Sequence, residues 1–241
     1  MIEILGINPN ELQPIEEPTQ FANVIVPEDS FYYSGLREFS FTPEYRATID
    51  RIRDFALKNR TPMSSKKIYY FYGRHQMGEE RLAAYFRTKG YLNVMPETLT
   101  LDEQLNLMIN CDSFASTLGS CAHNSLFLRD NAETIFIPRA ANAFTTYQQA
   151  LNEVHPLKTN YIDSSLSIFG ELHKSYCFIL SRQLKEFFGD PFGRYTEGDF
   201  ATFHEYLKDS LAKGRDITPK AKRYYDSIFP DFLVQLWNQK G

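Results

Sequence analysis

Residues 112–139 read DSFASTLGSCAHNSLFLRDNAETIFIPR, and this stretch decides the fold. Its pattern predicts a strand at Asp112–Thr117, a tight loop, a helix that opens through 121–125, and a second strand at Glu133–Pro138. Gly119 in the loop lets a ligand approach the backbone closely. The start of a helix has N–H groups without partners and a positive partial charge. The stretch therefore indicates either a phosphate site or a simple turn between strand and helix.

Composition and charge limit the classes of protein to which this chain can belong. Its 241 residues, 43% hydrophobic and 15% aromatic, suffice for one large domain or two small ones with a substantial core. The net charge of −4 does not indicate a nucleic-acid binder. No apolar run has the length of a membrane span, and no signal peptide is recognisable. We therefore expect a cytoplasmic protein without a membrane span or nucleic-acid partner, and the inner face of the membrane is a second expected location.

Metal and disulfide sites are not expected either. The three cysteines are too few and too scattered for a disulfide framework or a zinc site. The five histidines show no HExxH spacing, and no DxD pair of carboxylates is present. The sequence therefore predicts no metal and no bound cofactor.

Predicted strands and helices alternate within residues 21–165. Thr42 and Pro43 give a strong helix start, and Thr100 with Glu103 forms a capping box. This alternation is typical of a parallel sheet with helices on both faces, a Rossmann-like α/β fold. The other predicted elements are strands at 21–27, 67–72, 91–95 and 160–163, helices at 78–89 and 145–154, and a loop at 28–41.

The two ends of the chain differ from this central part. Residues 1–20 are rich in Pro and Glu and are interpreted as a linker between domains. In 166–241, apolar residues recur at helical spacing, which predicts a helical extension packed on the domain. Its predicted helices are 176–188, 199–211 and 220–237, the last broken at Pro230.

The order of the strands predicts where a ligand binds. In open α/β sheets, ligands lie beyond the carboxyl ends of the strands, where the strand order reverses. The common order places the strand at 67–72 beside the one at 112–117, so the loops at Gly73-Arg74 and at 118–120 share one crevice. An arginine fork matches phosphate oxygens, which favours the phosphate site over the simple turn. For Arg74 the alternative is a surface ion pair with a nearby glutamate.

Further side chains of the central stretch are candidates for the same site. His123 is a candidate phosphate donor or base, or else a solvent-facing histidine. Cys121 is a candidate reactive thiol, but no base that would activate it is identifiable, which favours a packing role. Ser120 and Asn124 can add hydrogen bonds to a ligand. Arg139 ends the second strand and either lines the crevice or faces solvent.

The order of these motifs resembles the C-terminal half of glycosyltransferase family 61. It runs from KKIYYFYGR (66–74) through VMPE (94–97) to TLDEQLNLMINCDSFASTLGSCAHNSLFLRDNAETIFIP (100–138). The form G-S-x-x-H-N-S is similar to that of bacterial members associated with capsule and cell-surface polysaccharide. The matching positions are Gly119, Asn124, Leu126-Phe127, Pro96-Glu97 and Arg74.

The chain also departs from the family pattern. Leu118, Cys121 and His123 stand where the family has histidine, glycine and threonine, respectively. The family has two arginines at the end of its first strand, and this chain has one, Arg74. These departures concern the residues closest to the expected ligand.

The resemblance implies a GT-B glycosyltransferase with a Rossmann-like domain that holds a nucleotide-sugar donor, UDP-linked. It implies metal-independent, inverting transfer to a glycan or lipid-linked acceptor in polysaccharide biosynthesis. Pro96 and Glu97 would bind the nucleobase through backbone groups. Gly73, Arg74 and residues 119–124 would hold the diphosphate, and His123 is the candidate catalytic base.

A full member of that family has an acceptor-binding domain before the linker, near which this chain begins. We therefore expect the acceptor domain to come from a longer chain, a separate subunit or a homo-oligomer, unless the protein has lost it. One alternative is a non-catalytic Rossmann-like module that binds a nucleotide or a partner. Another is an unrelated enzyme that modifies sugar nucleotides. The absence of G-x-G-x-x-G after any predicted strand argues against a dinucleotide oxidoreductase.

Overall fold

The structure of this chain is a computed structural model, and it describes residues 5–24, 28–34, 38–71, 76–139, 146–167, 176–213 and 230–238. The strands are β1 (Phe31–Ser34), β2 (Glu38–Phe41), β3 (Lys67–Tyr70), β4 (Leu92–Val94), β5 (Ser113–Thr117), β6 (Glu133–Ile137), β7 (Lys158–Tyr161), β8 (Ser165–Leu166) and β9 (Cys177–Phe178). The α-helices are α1 (Pro43–Lys58), α2 (Glu79–Thr88), α3 (Leu101–Asn110), α4 (Thr146–Val154), α5 (Arg182–Phe187), α6 (Glu197–Ala212) and α7 (Pro230–Asn238). The 3-10 helices are Pro9–Glu11, Pro96–Thr98 and Ala122–Phe127.

The centre of the fold is a five-stranded parallel sheet in the order β4-β3-β5-β6-β7, with helices packed on it. This confirms the predicted Rossmann-like α/β class. Because β3 pairs with both β4 and β5, the predicted neighbourhood of the strands at 67–72 and 112–117 is also confirmed. The chain adds β4 on one side of β3 and β5 to β7 on the other. The strand order therefore reverses between β3 and β5, as it does at the switch point of flavodoxin-like sheets.

The sheet is buried on both faces, as parallel sheets generally are. All five residues of β5 are buried. Their side chains alternate between two clusters, in which Phe114 packs with Tyr70 and Phe136, whereas Ala115 lies in the cluster of the opposite face. This double burial explains why the strand is continuously small or apolar instead of alternating with charged residues.

Local signals fix the ends of two helices on this sheet, and both predictions are confirmed. The Thr42 hydroxyl accepts from the Tyr45 N–H at 3.3 Å at the start of α1. Thr100 and Glu103 form the predicted capping box at the start of α3. An N-cap of this kind contributes about 1 kcal/mol, so the sequence determines where these helices begin.

Three predictions of local structure are wrong in whole or in part. Residues 28–41, predicted to be a loop, contain the antiparallel hairpin β1-β2, whose aromatic residues favour strands. The predicted helix 176–188 is confirmed only in its second half, as α5, whereas its beginning is β9, whose structure is decided by tertiary pairing with β8. In the predicted strand 21–27, residues 21–24 form no strand, and 25–27 lie outside the described residues.

The C-terminal part packs on the sheet domain around an aromatic cluster. Phe200, Phe203 and Tyr206 of α6 are buried with Phe232 of α7 and Cys177 of β9. The predicted helix at 199–211 is therefore confirmed as α6. Within 220–237, the structure shows α7, and 214–229 lie outside the described residues. The predicted boundaries at 20 and 165 stay predictions. None of the helices in the described part of the chain is long and apolar enough to cross a membrane.

Candidate functional site

The candidate site lies at the edge of the sheet where the parallel strands end. The loop 118–120 follows β5 at this edge, directly beside the reversal of strand order. The Leu118 N–H donates to the Ile137 carbonyl at 2.9 Å, so β5 and β6 remain joined up to the loop. Gly73 and Arg74 follow β3 in sequence but lie outside the described residues, and their part in the site stays a prediction.

The segment after the loop differs from the predicted helix. It is a six-residue 3-10 helix, Ala122–Phe127, whose hydrogen bonds reach back three residues. The N–H groups of Ala122, His123 and Asn124 already donate to the carbonyls of residues 119, 120 and 121, at 2.9–3.2 Å. The Asn124 side chain also donates to the Cys121 carbonyl at 3.2 Å, which is the local bonding that disfavours an α-helix. The predicted α-helix start is therefore wrong, and the N–H groups of Ala122, His123 and Asn124 are already used, whereas the phosphate site at this loop stays a prediction.

Arg139 occupies the space beside Gly119. A Cβ atom built on Gly119 would lie 2.5 Å from Arg139 Nη2 and 2.8 Å from its Cζ. Gly119 has φ +143°, a conformation that side-chain-bearing residues rarely adopt. The glycine therefore allows both the turn and the close approach of a guanidinium, whereas the sequence analysis had considered only a ligand or a simple turn as reasons for it.

His123 and Arg139 lie in each other's electrostatic range. Burial first, and the positive charge of Arg139 second, lower the pKa of His123 below its ordinary value. The half-buried imidazole is therefore neutral near pH 7, the form that can accept a proton. Arg139 is thus the site residue that the sequence analysis did not include among its binding residues. The sequence contains a signal for this role, because Arg139 directly follows the strand β6 and so lies at the same edge of the sheet as the loop after β5.

The remaining predicted residues of this loop differ in exposure. Ser120 is exposed and Asn124 is half-buried, so both lie within reach of a ligand. Cys121 is buried in the core cluster under the 3-10 helix, which agrees with a packing role. The Ser125 hydroxyl accepts from Gln148 of α4 at 2.9 Å, and this contact anchors the segment to the helix behind it.

The predicted nucleobase loop lies at the same edge of the sheet. It follows β4, and Pro96 begins the short 3-10 helix there. Pro96 is buried, and its carbonyl accepts from Gln104 of α3 at 2.9 Å. Met95 is 37% exposed, and Glu97 is exposed. The Pro96 carbonyl is therefore already bonded, and the Met95 carbonyl accepts from the Thr98 hydroxyl at 2.8 Å.

Two further observations concern identity. Within the described residues, no group of three or more His, Cys, Asp or Glu side chains is arranged to hold a metal ion. In comparisons with known proteins, no protein-family model matches the chain, and no curated protein is significantly similar to it.

Proposed function

We propose that this chain binds the nucleotide-sugar donor of a glycosyltransferase, a uridine diphosphate sugar, whose sugar is transferred to a glycan or lipid-linked acceptor. The observation that carries the proposal is the loop 118–120, which follows β5 where the strand order reverses and in which the Arg139 guanidinium packs against Gly119, a residue without a side chain. Ligands of open α/β sheets bind at this position. The resemblance to glycosyltransferase family 61 supports a nucleotide-sugar as the ligand.

The chemistry of the transfer fits the charges of the site. When the bond between the sugar and the diphosphate breaks, negative charge develops on the leaving diphosphate. A guanidinium beside it stabilises that charge. The acceptor hydroxyl must lose a proton, and a neutral imidazole can take it. Since burial and Arg139 keep His123 neutral, His123 is the residue that we propose as base.

Binding of nucleotides tests the first half of the proposal. We expect uridine diphosphate to bind more tightly than inorganic pyrophosphate in calorimetric titrations, because the loop after β4 adds contacts to the base. Arg74→Ala should lower the affinity for uridine diphosphate by about tenfold to a hundredfold, which is the effect of losing one charge-assisted hydrogen bond. The matched control is Arg60→Ala, which removes an exposed arginine after α1. A wild-type chain that binds no nucleoside diphosphate more tightly than pyrophosphate contradicts the proposal.

Turnover tests the second half. The release of uridine diphosphate from uridine diphosphate sugars is measured with and without a panel of glycan acceptors. His123→Ala separates two roles: weaker binding marks a donor contact, whereas intact binding with lost turnover marks the base. Binding without any turnover, in the presence of the acceptor panel and of the protein's partners, would instead support the non-catalytic module.

A further inference from the structure

We propose that Arg139 is an anion-binding residue and that its guanidinium holds a phosphate group of a diphosphate ligand above the loop 118–120. The identification of this diphosphate as part of a nucleotide rests on the proposed function, but the anion site itself does not. The chemical class of the ligand is pyrophosphate, free or esterified.

The first argument is a comparison of the half-buried arginines. Among the described residues these are Arg53, Arg81, Arg129 and Arg139. Arg53 lies 2.7 Å from Asp130, Arg81 lies 3.0 Å from Asp199, and Arg129 pairs with Asp112. Arg139 has no hydrogen bond and no ion pair with any residue in the described part of the chain. A partly desolvated guanidinium with five N–H donors is stabilised by an anion, and this position provides none from the described chain.

The second argument is the surface against which the guanidinium lies. Gly119 is buried and provides no side chain, so the guanidinium contacts the backbone of the loop directly. Within the described residues, the N–H groups of Gly119 and Ser120 make no hydrogen bond. Successive backbone N–H groups in a turn are a known means of binding phosphate oxygens, and here two of them without a partner lie next to a guanidinium.

The third argument is the position relative to the sheet. Arg139 follows β6 and Gly119 follows β5, and these strands are adjacent and parallel. Their carboxyl ends therefore bring the guanidinium and the loop together at the edge where the strand order reverses. A phosphate placed there lies against the cation and the loop, and His123 lies within electrostatic range of the same cation.

Calorimetric titration with inorganic pyrophosphate tests this site on the full chain. We expect Arg139→Gln to lower the affinity for pyrophosphate by about tenfold to a hundredfold, because one charge-assisted contact is lost. The affinity for uridine, which has no phosphate, should be the same in the wild type and in this variant. Arg87→Gln, which removes an exposed arginine of α2, is the matched control and should leave both affinities unchanged. Equal pyrophosphate affinity in wild type and Arg139→Gln overturns the proposal, as does an equal loss in Arg87→Gln.

A second measurement needs no variant and remains informative if Arg139→Gln does not fold. In proton NMR of the wild type, pyrophosphate should shift the His123 ring resonances and raise the pKa of His123, because a bound anion offsets the charge of Arg139. The exposed His204 of α6 is the internal control and should not respond. A His123 signal that does not change while pyrophosphate binds overturns the site.

The outcomes separate this inference from the proposed function. Pyrophosphate that binds through Arg139, without tighter binding of any nucleotide, supports the anion site and contradicts the nucleotide-sugar proposal. Uridine diphosphate that binds equally well to wild type and Arg139→Gln contradicts the anion site and leaves the donor site elsewhere at the same edge. A wild type that binds neither compound contradicts both.

Discussion

The contact between α6 and α2 allows a stability prediction with a defined magnitude. Asp199 is fully buried, and its carboxylate accepts from the Leu180 N–H at 3.0 Å and from the Thr196 N–H and hydroxyl at 2.9 and 2.7 Å. Arg81 Nη1 lies 3.0 Å from Asp199 Oδ1 without hydrogen-bond geometry, so this contact is an ion pair. One carboxylate thus caps α6 and joins it to α2 and to the chain after β9.

Asp199→Asn keeps the shape of the side chain and removes its charge. Breaking a fully buried ion pair costs about 3–5 kcal/mol. Because the Arg81 side chain is 31% exposed and water solvates part of its charge, we expect a loss of about 2–4 kcal/mol. For a chain of this size, that loss corresponds to a decrease in Tm of about 4–16 °C. Urea unfolding at pH 7 gives the free energy, and a thermal scan gives the Tm.

The control and the pH dependence sharpen this test. Glu197→Gln removes an exposed carboxylate in the first turn of the same helix and should cost less than 1 kcal/mol, about the contribution of a helix-dipole contact. Burial alone would raise the pKa of Asp199, but the hydrogen bonds from Thr196 and Leu180 and the charge of Arg81 lower it below the ordinary value. The stabilisation is therefore present above the unfolded-state pKa and is lost as the pH falls through the folded-state pKa. Equal losses for Asp199→Asn and Glu197→Gln would refute the reasoning.

Two further predictions concern buried contacts away from the candidate site. Burial first, and Arg53 second, lower the pKa of His155, which accepts from Arg53 at 2.7 Å. The contribution of His155 to the free energy of unfolding should therefore be fully present above about pH 6.5 and should decrease below it. In a pH series, the free energy of unfolding of His155→Gln should depend less on pH than that of the wild type. A Cβ atom on Gly78 would lie 2.0 Å from the Phe178 carbonyl oxygen, whereas one on Gly90 meets nothing within 4 Å, and both glycines have positive φ. Gly90→Ala should thus cost about 1–3 kcal/mol of backbone strain, and Gly78→Ala should cost more; equal losses in urea unfolding contradict the close packing of α2 on β9.

The sequence predicts the sheet well because its signals are local. Continuous small and apolar residues in β5 indicate a strand buried on both faces, and the caps at Thr42 and Thr100 fix the starts of two helices. The pairing of β1 with β2 was missed although the sequence contains a signal for it, since the two short aromatic segments are separated by three residues that include Gly35. Pairing of β8 with β9 is determined by tertiary contacts.

For the candidate site, the sequence predicts the loop but leaves open whether Arg139 lines it or faces solvent. Gly119 is recognisable as a turn residue, and its place at the switch point follows from strand order. Arg139 meets Gly119 only through the pairing of β5 with β6, which a local pattern does not contain. The 3-10 segment was misassigned for a local reason, because the side-chain bond from Asn124 to Cys121 competes with α-helical bonding.

The position of Arg139 bears on a departure of this chain from the family it resembles. The family has two arginines after its first strand, and this chain has only Arg74 after β3. β3 and β6 are the two neighbours of β5, and adjacent strands lie about 4.8 Å apart, so the ends of β3 and β6 are about 10 Å apart with the loop 118–120 between them. A diphosphate has two charged groups, and Arg139 after β6 offers a cation to one of them. In the proposed site, Arg139 therefore supplies a positive charge that does not come from the segment after β3, and the presence of a single arginine in that segment does not by itself argue against a diphosphate ligand.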